Sequence, residues 1–414
     1  MARALARPGP IGGGASTLSG PVQPRMLVAL TLAMAAPPLT GYAAAALSPT
    51  LVAELRITVA QFGLFASISF LSAAAFSLIA SRAIHLVSQA AQLTIIFIGA
   101  AVSFVGLALA HDLSWLIAAA VVAGPAHALS NPFTNRVIAD RVDADLRTRW
   151  MGVKQSGVQC SQALAGLLLP ALAVMFGWRS TFAALAILLV AALSRVHGLF
   201  STRAPAGATA TVAAVPMAAP DPTAMRGVVW TFAAYALFTG TGLQATNVYL
   251  PLFARDGLHL GAVSAGATIA IAGGVGLAAR VLWGRLGGLE RRAGTLLLAL
   301  ALAAAVGVSF LAVAAWTGWG ALLWIGVVLH GATAIGSNVV VMVGVLHRVP
   351  ATHAGVASAI VALGMYLGFA SGPLLLGSLL SRFGFATGWC IMAVAYLCGA
   401  VAAERLRLPG IHPA

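Results

Sequence analysis

Lys154 is the only lysine in a chain that holds 22 arginines. It opens the run Met151–Met175, where Cys160 is the one other ionisable residue. If Arg149 marks the edge of an apolar layer, the ammonium lies ~7 Å inside it at the helical rise per residue. On a helical wheel Lys154, Gln155, Gln159, Ser161 and Gln162 fall within about 160° of arc, while Val153, Cys160, Leu164 and Leu167 face away. A stripe of three glutamines beside an ammonium offers donors and acceptors at several depths, a lining suited to a small oxygen-rich anion. Two readings of Lys154 stay open: it contacts a solute, or its stem snorkels back to lipid headgroups. Arg would snorkel equally well, so the choice of Lys points to a compact charge that pairs with one carboxylate and releases it.

Other polar residues repeat this pattern. His127, Asn131 and Asn135 share a helical face at i, i+4 and i+8, and His330, Thr333 and Ser337 at i, i+3 and i+7. Each face either lines a passage or satisfies its own helix, with the histidines as candidate proton carriers. In FTGTGLQATNVYLP, Gly240 and Gly242 precede Gln244 and Asn247; the glycines mark a weakened gating helix or a close packing site. Tyr42, just after Pro37–Pro38, and Tyr366, in a Gly-rich run, are candidates for ligand contact or for packing. All nine acids (Glu54, Asp112, Asp140, Asp143, Asp145, Asp221, Asp256, Glu290 and Glu404) map to loops or helix ends. An interior without carboxylates disfavours a cationic cargo and removes the usual acidic proton carrier. No phosphate-cradling loop, metal-ligand cluster or nucleophile–base spacing stands out, so no enzyme activity, cofactor, metal or ATP-driven step is expected.

The elements that must position these residues follow from composition. A chain of 414 residues that is 60% hydrophobic and 8% charged has too little polar surface for a water-soluble globule. Hydropathy and breakers predict twelve membrane helices, at 26–47, 61–80, 89–110, 114–138, 150–175, 180–198, 227–253, 262–283, 294–315, 318–345, 354–380 and 386–403. The expected organisation is a tail (1–25), a six-helix bundle (26–200), a linker (201–226) rich in Ala, Pro and Thr, a second bundle (227–403) and a tail (404–414). With both termini cytoplasmic, 18 arginines fall on that side and only Arg56, Arg179, Arg255 and Arg382 outside, a bias that sets orientation in an inner membrane. The +14 net charge therefore reports topology and not nucleic-acid binding. The three cysteines, at 160, 390 and 398, fall in apolar segments as small hydrophobes. An offset of 203 residues pairs Arg82 with Arg285, His127 with His330, Asn135 with Asn338, Gly152 with Gly355 and Pro170 with Pro373. Such a repeat predicts two bundles related by a pseudo-two-fold axis along the membrane normal, with a site between them.

SLIASRAIH, between the second and third predicted helices, resembles a degraded copy of the loop motif Gly-x-Leu-Ala-Asp-Arg-x-Gly-Arg. Arg82 survives in it, with Ser81 at the Asp position; the second copy lies in RVLWGRLGGLERR, where the Asp is also missing. With these loops the chain resembles the major facilitator superfamily. SNPFTNRVIADRV, RWMGVKQSGVQ, LLLP and FGWR are most similar to its cyanate-permease-like branch. The resemblance implies a secondary transporter, and the lost Asp removes part of the charge relay that latches the loop side. Arg82, Arg280 and Arg285 remain as candidate gating residues against helix C-termini.

The expected cargo is a small organic anion, with a carboxylate as the leading class, coupled to protons or exchanged for a second anion. Its expected binding residues are Lys154, His127, His330, Gln155, Gln159, Asn131, Gln244, Asn338, Tyr42 and Tyr366. A monomer in a lipid bilayer is expected. An exporter of amphipathic compounds, suggested by the apolar walls with Trp230 and Trp324, and a sensor that moves nothing are the alternatives.

Overall fold

The computed structural model describes residues 22–83, 87–201, 222–285, 289–350 and 353–407. Most of the expected tails and linker lie outside the described residues. Long runs of Ala, Leu, Val and Ile satisfy every interior backbone group within one helix, the requirement a bilayer imposes. The first half contributes span one (Val22–Ala46), span two (Val59–Ala83), span three (Gln89–Ala108), span four (Leu113–Arg141), span five (Ala144–Phe176) and span six (Trp178–Val196). The second half contributes span seven (Pro222–Leu252), span eight (Ala262–Arg285), span nine (Leu289–Thr317), span ten (Gly320–Arg348) and the segment Ala354–Arg405. That last segment is two helices: Gly384, at φ 75° and ψ 178°, breaks it into spans eleven and twelve. The twelve helices form two bundles of six.

Local chemistry explains several ends. The Asp112 carboxylate accepts from the Ser114 amide at 2.8 Å and from its hydroxyl at 2.6 Å, starting span four. The Ser114 hydroxyl, then the Ser114 and Trp115 amides, hold this carboxyl below the usual range, so the cap survives until the pH falls below that lowered value. Hydroxyls within the spans, such as Thr31, Ser69, Thr239 and Thr246, return their protons to the carbonyl four residues back. Gly177 joins spans five and six at φ 82° and ψ 148°. Both turn glycines occupy backbone space that side chains almost never enter, so Gly384→Ala should cost about 1–3 kcal/mol, read as a lower unfolding temperature in detergent.

Spans two and eleven pack across the two halves, as do spans five and eight, and span one meets span seven. The 203-residue offset turns span two into eight and eleven into five, so the first two contacts are symmetry mates and the third maps onto itself. The cross-half contacts cluster from mid-span towards the face opposite the arginine-rich loops. Gly63 faces Pro373 and the Tyr249 hydroxyl, Gly377 faces Ala60, and Gly166 and Gly266 face each other beside Pro170. Small residues let these backbones approach. The Tyr249 hydroxyl lies 3.0 Å from the Val59 carbonyl and 3.2 Å from that of Pro373, joining spans two, seven and eleven.

Candidate functional site

Lys154 is 1% exposed. Its ammonium donates to Asn131 Oδ1 at 2.8 Å, Thr134 Oγ1 at 2.8 Å and Asn135 Oδ1 at 2.5 Å, all on span four. Positions 131, 134 and 135 share a helical face, so one helix presents three acceptors to the three N–H bonds of one ammonium. Thr134 gives its own proton to the Ser130 carbonyl at 2.8 Å, which frees its lone pairs for the lysine. Asn131 keeps an exposed surface, and Gln155 and Asn135 are half-buried.

Two turns further along span five, Gln162 Nε2 donates to Asn247 Oδ1 at 3.1 Å, and His330 Nε2 lies 3.1 Å from the same oxygen. A carbonyl oxygen only accepts, so the imidazole carries its proton on Nε2. One side chain on span seven thus ties span five of the first half to span ten of the second. His330 Nδ1, Gln162 Oε1 and, one turn away, Gln159 Oε1 are buried without a hydrogen-bond partner. Gln244 is buried one turn before Asn247, and Asn338 is half-buried two turns beyond His330.

Span ten widens just after His330 into a π turn, Gly331–Ile335. Such turns misalign the backbone ladder and leave carbonyls for outside donors. Span eight supplies them: Arg280 Nε donates to Ile335 O at 3.2 Å and Trp283 Nε1 to Ala332 O at 3.0 Å. Arg280 Nη1 is buried and has no partner. Across the halves, the Tyr42 hydroxyl of span one lies within electrostatic range of this guanidinium. Arg280 was expected among the loop-side gating arginines that pair with helix C-termini. It holds a carbonyl inside span ten instead, five residues before its own helix ends.

His127 takes a different setting from its symmetry mate. Its Nδ1 is 3.2 Å from the Ala123 carbonyl, and its ring meets Phe70 edge-on at 5.4 Å. Phe70 in turn stacks on Tyr366 at 6.3 Å and meets Phe369 at 5.0 Å, an aromatic cluster between spans two and eleven. Span seven runs unbroken through Gly240 and Gly242, which lie against Phe369 and Tyr396 respectively. Arg285 is exposed at the end of span eight. The Arg82 side chain lies outside the described residues.

Residues 28–362 match the sequence profile of the Major Facilitator Superfamily. The chain belongs to this superfamily. Three solved structures of similar fold are a D-xylose–proton symporter, a bacterial homologue of the human lysosomal transporter Spinster and a nucleoside transporter. The symporter is 17% identical with a TM-score of 0.74, covering 95% of this chain and 98% of its own. The Spinster homologue, inward-facing and occupied, is 14% identical with a TM-score of 0.70, covering 96% and 99%. The nucleoside transporter is 15% identical with a TM-score of 0.70, covering 94% and 99%. No curated protein matches the chain. As a superfamily member it is a multi-pass membrane protein with a transporter fold.

In this superfamily member the structure brings Gln159 and His330 together with Gln162 and Asn247, places Tyr42 near Arg280, and leaves His127 and Tyr366 in a separate aromatic cluster. The sequence contained signals for the missed residues. Gln162 shares the Lys154 stripe, Asn247 shares a face with Gln244, and Trp283 is spaced i, i+3 from Arg280, itself expected as a gating residue.

Proposed function

We propose that this chain is a secondary transporter that moves a small anion, with carboxylates as its cargo class, by alternately opening a site between its two bundles. Arg280 carries the reading: an intramembrane guanidinium holds one nitrogen unpartnered, and no carboxylate lies in the interior among the described residues. A buried donor on a fixed cation is a strong contact for a carboxylate oxygen. The register that sets Gly273 against Gln159 and Ala163 draws Arg280 level with the 152–156 turn of span five. The α-carbons of Arg280 and Lys154 thus lie near one depth on facing helices. The Lys154 segment resembles the cyanate-permease-like branch, a broad group that moves small anions as well as other compounds. Transport is coupled to a proton carried with the anion or to exchange against a second anion, and the arginine-rich face lies in the cytoplasm.

Uptake of labelled carboxylates into proteoliposomes tests the proposal, run with an imposed pH gradient and with internal unlabelled anion to separate the coupling modes. Flux of the anion supports it; flux of hydrophobic dyes without anion supports an exporter, which the Phe70, Tyr366 and Phe369 cluster favours. Binding without flux supports a sensor. Lys154→Ala should lower carboxylate affinity by about 1.5 kcal/mol, close to tenfold, because its three neutral acceptors already share the ammonium. Unchanged affinity would leave Lys154 as a brace between spans four and five.

A further inference from the structure

The buried polar tier around Asn247 holds three acceptors without a donor. Gln159 Oε1, Gln162 Oε1 and His330 Nδ1 have no partner, on residues that are 1%, 0% and 0% exposed. Gln162 and His330 meet at one oxygen of Asn247, so their free acceptors belong to one cluster. Gln159 adjoins Gln162 at helical spacing, and its carbonyl and the Gln162 Cβ both abut Gly273 of span eight. Arg280 follows Gly273 by seven residues, two turns along nearly the same face. Its Cβ tilts towards the helix N-terminus, which directs the guanidinium back towards this tier. Span eight touches spans one, five, seven and ten, span one also touches spans five and seven, and span seven touches span ten.

A buried acceptor without a donor is costly, and a bare carboxylate brings only more acceptors. A solute that answers both ends of the cluster carries a negative group for Arg280 and O–H donors for the amides and the imidazole. We propose that the solute is a small hydroxylated carboxylate, its carboxylate on Arg280 and its hydroxyls donating to Gln159, Gln162 and His330. The proposal rests on the anion-transport reading above and narrows its cargo. An ammonium would also donate, but beside Arg280 and Lys154, with no acid in the interior among the described residues, a second positive group is repelled.

Binding of a matched series to the purified full-length protein, by calorimetry and thermal shift, tests this. Propionate, lactate, glycerate and erythronate differ in hydroxyl number; glycerol and erythritol lack the charge; alanine replaces the lactate hydroxyl with an ammonium. The expected result is a gain of about tenfold or more for the first hydroxyl, with glycerate and erythronate above propionate and with alanine and the neutral alcohols weakest. Gln159→Met should bring the glycerate-to-propionate affinity ratio towards one. Equal binding of propionate and glycerate, or alanine above lactate, overturns the hydroxyl inference and leaves the anion reading standing. Erythritol binding as well as erythronate overturns both, as does the absence of any carboxylate binding.

Discussion

Arg280→Ala should reduce carboxylate uptake about 100-fold while the protein still purifies as a folded species. The guanidinium does two jobs at once: Nε holds the Ile335 carbonyl in the π turn, and Nη1 is free. Removing a charged hydrogen bond to a bound anion costs about 1.5–3 kcal/mol, and loss of the cation itself weakens attraction at a longer range, which places the effect at the upper end. Arg280→Lys keeps the charge, but loses the planar fork that sets Nε on Ile335 O and leaves Nη1 for a solute, so about a tenth of wild-type uptake is expected. Uptake in proteoliposomes and the unfolding temperature of each variant separate transport loss from misfolding. Normal uptake by a folded Ala variant would remove the anion contact from Arg280, and with it the main support for an anionic cargo.

Gly63→Val should hold the two halves apart on the face opposite the arginine-rich loops. A Cβ built on Gly63 comes within 2.7 Å of the Pro373 carbonyl and closer still to the Tyr249 hydroxyl, backbone and a tethered side chain that have little room to yield. Overpacking of this kind costs about 1–3 kcal/mol in a well-packed core. In an alternating transporter the whole penalty falls on the state in which these spans touch, so ~3 kcal/mol would shift the ratio of states by about 150-fold. Spin labels on spans two and eleven near that face should show a longer distance in the variant, with transport lost and folding retained. An unchanged distance distribution would mean that this contact does not separate the two states.

The twelve spans were legible in the sequence because each needs a run of about 20 apolar residues, a signal that no tertiary contact is required to read. A break between 380 and 386 was legible, and the structure narrows it to Gly384, with helix on either side and no loop. The Lys154 stripe was legible too, as a direction around one helix axis. What a wheel leaves out is the neighbour that fills that direction, and so Asn131 and Asn135 were read as part of a separate histidine-led face and Thr134 was not singled out. Arg280 was harder for a different reason. Its position near the end of an apolar run is shared with arginines that reach water, and only the π turn of span ten, with its displaced carbonyls, shows why this one stays inside. The GATAI stretch carries no residue type that demands such a turn.

The two glycine knees bear on length as well as on shape. Phe176–Gly177 and Phe383–Gly384 are the same dipeptide at the same bend, yet Gly177 follows Pro170 by seven residues and Gly384 follows Pro373 by eleven. The later copy is therefore four residues longer between proline and knee, close to the 3.6 of one helical turn. A difference of that size lengthens span eleven by ~6 Å while rotating everything past it by only about 40°, so the surface facing span two keeps its composition. An indel of two residues here would turn the packed face towards lipid, which leaves whole-turn changes as the length variation this arm can accept.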